Sequence, residues 1–126
     1  MTQFVLDASV TAVWLLDDEK HPVAEAALSE LEKFGAIVPQ LWHAEVRNCL
    51  LVAERRGRIS AQDADERLKA LSDLPIQTDM EPDHNQALQL ARNHNLSLYD
   101  ALYLELSLRK NTSLCSLDKA LIKAAE

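Results

Sequence analysis

Four short apolar runs, each set apart from the next by longer helical stretches, constrain this chain more than any other feature. Gln3–Leu6 (QFVL), Ala36–Val38 (AIV), Pro75–Thr78 (PIQT) and Ser113–Cys115 (SLC) read as strands. Val10–Leu16 reads as a helix, and Pro22 opens a second that ends at Phe34–Gly35. A strongly periodic helix over Leu41–Arg56 stops at Gly57, and Ser60 caps the next, SAQDADERLKALSDL. Pro82 starts a helix reaching His94, another covers Asp100–Lys110, and Asp118 begins a last short one. Apolar strands between longer helices imply an α/β fold with a parallel sheet covered on both faces. Sites in such sheets lie beyond the carboxyl ends of the strands, so acids just after strands carry the most information.

At 126 residues the chain reads as a single domain over residues 1–126. Its 48% apolar content argues against disorder. Two cysteines, Cys49 and Cys115, make neither a disulfide framework nor a zinc cluster, and a reducing cytoplasm is expected. No apolar run nears the ~20 residues of a membrane span, and no basic segment with a following apolar region opens the chain. Glycine occurs only at Gly35 and Gly57, which excludes a Gly-rich phosphate loop. The net charge of −7 argues against holding nucleic acid by bulk charge, though not against handling phosphates through a bound cation.

Asp7 follows the first strand in FVLDASV, and Asp118 follows the fourth in SLCSLDKAL. Each alone reads as a helix cap; together they mark the same end of a parallel sheet. Glu45 is more informative. At about 100° per residue, Leu41, Trp42, Cys49 and Val52 fall within about 60° of it, so it lies in the apolar stripe. A buried carboxylate needs a partner: a cation, or an arginine such as Arg56. Asp100 also borders an apolar arc, while Ser97 to Asp100 has capping-box spacing. Two like charges ~4 Å apart repel by ~4 kcal/mol at an effective dielectric near 20. Asp7, Glu45, Asp100 and Asp118 brought together would therefore raise their pKa values or bind a cation. Hard oxygen donors without a His/Cys set select Mg2+ or Mn2+ over zinc. His43-Ala44-Glu45 matches a zinc-deaminase string but lacks the cysteine pair that must follow. His43 falls on the polar side of its helix, and His21, His84 and His94 read as solvated. Ser9 and Ser116 are placed to hydrogen-bond acids or waters, or simply to serve helix ends.

The segments FVLDASVTAVWLL, WHAEVRNCLL, LSLYDALYLELSLR and LCSLDKALIKAA resemble, in order, the signature segments of PIN-domain ribonucleases, especially VapC-type toxins of toxin–antitoxin pairs. The resemblance implies a three-layer α/β/α domain with a parallel sheet of four or five strands. A final strand is common in the family after the last helix, and here the sequence stops at Glu126. It further implies an endoribonuclease dependent on Mg2+ or Mn2+. Asp7, Glu45 and Asp100 would be the core metal-binding acids and Asp118 the fourth, with Ser9 and Ser116 in supporting positions. It implies a homodimer, an RNA substrate and a cognate antitoxin.

Other readings keep parts of this pattern. An inactive PIN-like regulatory or binding module would use the acidic pocket only structurally. A receiver domain wants a paired acid cluster early in the chain, and an Asp-nucleophile phosphatase wants a second Asp where Ser9 stands. Arg47, Arg55, Arg56 and Arg58 form a basic cluster at one helix end, which reads first as a solvated face favoured by the helix dipole. Leu98, Leu102, Leu106 and Tyr103 supply apolar surface for a dimer. Trp14 reads either as core or as the wall of a groove for the antitoxin.

Overall fold

The computed structural model describes residues 3–16 and 21–126. Its elements are β1 (Phe4–Leu6), α1 (Ala8–Leu16), α2 (Pro22–Phe34), β2 (Ala36–Pro39), α3 (Gln40–Arg55), α4 (Ala61–Ser72), β3 (Ile76–Asp79), α5 (His84–His94), α6 (Leu98–Lys110), β4 (Leu114–Cys115) and α7 (Lys119–Ala125). All strand pairs are parallel, in the order β3-β2-β1-β4. The sheet thus has four strands among the described residues, the lower of the two expected numbers.

Right-handed crossovers place α1–α4 on one face, because β1 to β2 to β3 advances in one direction. The connection from β3 back to β4 puts α5 and α6 on the other. The packing agrees: α1 meets α2 and α3, α3 meets α4, and α6 lies against β1, β2, β4 and α5. The two central strands are buried along their length and the two edge strands only partly, as a sheet covered on both faces requires. Val5, Leu6, Ile37 and Val38 meet Val10, Leu31, Val46 and Leu50 from one layer and Leu104 and Leu106 from the other in one continuous core.

Element ends follow their caps. The third strand begins at Ile76 rather than Pro75, since proline has no N–H for the ladder, and runs on to Asp79 in register with Pro39. α6 begins at Leu98, two residues before the expected Asp100, because the Ser97 hydroxyl accepts from the Asp100 N–H and caps the helix. Gly35 turns α2 into β2 at φ +77°, and a side chain there would press within 3.1 Å of the Pro75 carbonyl oxygen.

Several surface expectations do not hold. Tyr103 and Leu106 are fully buried on the sheet side of α6, so of the four residues assigned to a dimer face only Leu98 is exposed, with Leu102 half-buried. His21 is half-buried rather than fully solvated, and its Nδ1 has no hydrogen-bond partner among the described residues. His43 is half-buried too, edge-on to Trp42 with its Nε2 2.8 Å from Thr78 Oγ1. Burial, with Arg47 nearby, holds its pKa below the ordinary value.

Candidate active site

The strand order reverses direction at β1: its successors in sequence lie on one side and β4 on the other. Ligands of open parallel sheets bind at such a switch point, outside the carboxyl ends. Pairing of Leu6 with Cys115 sets the next residues, Asp7 and Ser116, side by side there. Asp7 is 6% exposed, and its Oδ2 accepts two hydroxyl protons, from Ser9 at 2.6 Å and Ser116 at 2.7 Å. The polarity of both bonds follows from the carboxylate, which when ionised can only accept. Behind them, Ser9 Oγ receives the Leu117 N–H at 2.9 Å, and Ser116 Oγ receives the Asp118 N–H at 3.0 Å. Ser9 and Ser116 therefore tie the β1 and β4 ends together through the Asp7 carboxylate.

Glu45 stands on the second turn of α3, half-buried at the edge of the apolar stripe formed by Trp42, Val46, Leu50 and Ala53. Its partner is not Arg56, which lies about 16 Å further along the helix axis. Tyr103, from the opposite layer, donates its hydroxyl to Glu45 Oε1 at 2.6 Å. Burial raises the Glu45 pKa, and repulsion from Asp7 and Asp100 raises it further, against the opposing pull of the Tyr103 bond. Asp100 occupies the first turn of α6. Burial raises its pKa, with Asp118 and then Asp7 adding to the shift and Ser97 partly opposing it. Asp118 caps α7, its Oδ1 accepting from the Leu121 N–H at 3.0 Å.

The fold thus places Glu45 and Asp100 within electrostatic reach of Asp7 and of each other, and Asp100 within reach of Asp118. No lysine or arginine is among the charges that shift Glu45 or Asp100. Among the described residues, no three acid, histidine or cysteine groups stand close enough to grip a single ion directly. Mg2+ does not need that many: it keeps several waters and is commonly held by one or two carboxylates. The oxygen-only donor set and the mutual repulsion of the acids fit such an ion. Neither cysteine competes as a nucleophile, since burial pushes both thiols up.

A PIN domain family model matches residues 4–126. The chain belongs to the PIN domain family. Ribonuclease VapC3 of Pyrobaculum aerophilum is 29% identical to it over 123 residues, spanning 94% of this chain and 92% of that one. The crystal structure of PAE2754 from Pyrobaculum aerophilum superimposes with a TM-score of 0.79 at 20% identity, covering 99% of this chain and 86% of that chain, which is a likeness of fold.

Two features of this PIN domain escaped the sequence reading. Tyr103 as the partner of Glu45 was one; its only signal was its place one turn after Asp100. The other is a triad of two buried acids and a partly exposed arginine. Arg109 grips Asp79 through Nη1 at 3.2 Å and Nη2 at 2.6 Å, and Glu105 through Nε at 2.7 Å and Nη2 at 3.1 Å. Glu105 Oε1 also accepts the Asp83 N–H at the start of α5, at 3.2 Å. The i, i+4 spacing of Glu105 and Arg109 was visible in the sequence; the contact with Asp79 was not.

Proposed function

We propose that this PIN domain is an endoribonuclease that uses Mg2+ or Mn2+ and acts as the toxin of a toxin–antitoxin pair. The observation that supports this reading is the placement of Asp7 and Asp118 just after the β1 and β4 strands, with Glu45 and Asp100 each feeling the Asp7 charge. The name of its relative, Ribonuclease VapC3, supports the choice of substrate. A divalent ion bound there would supply the charge that activates an attacking water and offsets the phosphodiester. The protein's own part is preorganisation. Ser9 and Ser116 hold Asp7 Oδ2, so the carboxylate does not have to be ordered when a cation arrives. Glu45 and Asp100 carry raised pKa values that a nearby cation would bring down. Asp118 uses Oδ1 as a cap, which leaves Oδ2 for the site.

In the same reading the chain is cytoplasmic, pairs with a second copy, and is silenced by a cognate antitoxin. Both cysteines are free, which suits a reducing compartment. Exposed Leu51 and Val52 on α3 and Leu88 on α5 offer apolar surface for the second copy. A groove of about 380 Å³, walled by Trp14, Leu15, Leu28, Leu71 and Leu74, suits an amphipathic segment of an antitoxin. No helix among the described residues is long and apolar enough to cross a membrane.

The test is cleavage of a mixed RNA substrate by the parent and by Asp7→Asn. Cleavage with Mg2+ that EDTA stops and Asp7→Asn lacks supports the enzyme. An intact substrate, in the presence of Mn2+ binding, would favour the inactive binding module instead.

A further inference from the structure

Tyr103 has the largest fully buried side chain among the described residues, and it lies in the middle of α6, one turn after Asp100. A phenylalanine would fill the same core space. What the tyrosine adds is a hydroxyl, which a buried site tolerates only with partners. That hydroxyl donates to Glu45 Oε1 at 2.6 Å. It therefore joins two of the elements that bring acids to the switch point: α6 with Asp100 and α3 with Glu45.

The bond has the length of a charge-assisted one. A phenol is protonated throughout the ordinary working range of pH and can donate to the carboxylate. The ring is packed on all sides and cannot follow a wandering carboxylate. Glu45, by contrast, is a long side chain on a half-exposed position, with rotamer freedom to lose. We propose that the Tyr103 hydroxyl is a positioning group that holds Glu45 Oε1 and so presents the other carboxylate oxygen to the cation, an inference that rests on the metal-dependent reading above. Tyr103 touches neither substrate nor cation; it acts through Glu45.

Mn2+ titrations followed by the resonance of free Mn2+ test this without reference to cleavage. Tyr103→Phe should weaken Mn2+ binding on the order of 10-fold, the usual effect of removing a group that orients a ligand. Ser107→Ala removes a different buried hydroxyl from the same helix, one bonded to the Thr112 carbonyl at 2.6 Å, and should leave the affinity unchanged. Equal losses in both variants would show general loosening of α6 and overturn the positioning role, as would an unchanged affinity in Tyr103→Phe. A second measurement does not depend on that variant folding. In Tyr99→Phe, Tyr103 is the one remaining tyrosine, and its ultraviolet resonance Raman doublet reports how strongly it donates. Addition of Mg2+ should move that doublet; a doublet blind to Mg2+ overturns the proposal. Parent protein that takes up no Mn2+ overturns the metal reading and the positioning role together, whereas a binding parent with an indifferent Tyr103→Phe overturns only the latter.

Discussion

Asp100 lies in the first turn of a helix that Ser97 caps, but its own carboxylate makes no capping bond back to the Ser97 N–H, so the capping box is only half formed. The Asp100 N–H is satisfied by Ser97, while its carboxylate feels burial first and then Asp118 and Asp7. Because its folded pKa is raised, its contribution to stability is complete below the ordinary carboxylate pKa and is lost as the pH rises through the raised value. Glu45 acts in the same direction. In EDTA, Asp100→Asn should therefore be more stable than the parent, and the gain should grow as the pH climbs from about 4 towards neutrality. Urea unfolding at several pH values measures it, and a gain independent of pH would refute the repulsion. The acids themselves were legible in the sequence because each follows a strand or interrupts an apolar stripe. Their hydrogen-bond partners were not. Ser9 and Ser116 were recognisable as hydroxyls near acids, but that both reach the same Asp7 oxygen depends on the β1–β4 register.

At the scale of elements, strand and helix order could be read from periodicity; α5 starts at His84 rather than Pro82 because Asp83 caps it, and the shifted starts of α6 and β3 trace to the Ser97 cap and to Pro75. What could not be read is which helix face the opposite layer covers. α6 carries apolar residues nearly all round, so Tyr103 and Leu106 looked available for a partner until the sheet claimed them. The Asp79–Arg109–Glu105 triad pins the end of β3 to α6 with two carboxylates only 6% and 3% exposed. Burial alone would raise Asp79; the Arg109 hydrogen bonds and charge overcome it and hold the carboxyl below its ordinary value. That stability is present above the ordinary pKa and is lost as the pH falls through the lowered one. Arg109→Met should cost on the order of 3 kcal/mol, allowing for the partial exposure of the guanidinium, because it strands two buried acids. Since the triad lies apart from the four switch-point acids, Mn2+ affinity per folded molecule should be unaffected, as a titration at low temperature can verify. Trp14 is both core and wall: it packs against the core, its Nε1 donates to the Ala24 carbonyl at 2.7 Å, and it borders the groove between α1, α2 and α4. Trp14→Ala should thus destabilise the free protein by about 2–4 kcal/mol, visible as an earlier urea midpoint. An unchanged midpoint would assign Trp14 to the groove alone.

On the scale of the whole molecule, the proposed RNA substrate and the net charge of −7 are reconciled by the proposed cation among the acids. The fold sets Asp7 and Asp118 just after β1 and β4, and places Glu45 and Asp100 on α3 and α6, in opposite layers. Light scattering at tens of micromolar, an ordinary working range for self-association, should find a dimer, and substitution of Leu51 by Glu should shift it towards monomer. A parent already monomeric there would exclude the pairing. The central claim, that four acids form one cation site, is tested most directly by melting parent and Asp7→Asn in EDTA and in Mn2+. At about 100 times its dissociation constant, Mn2+ should stabilise the parent by ~2.7 kcal/mol. Asp7→Asn should gain nothing from Mn2+. Equal Mn2+ responses in the two proteins would contradict the claim.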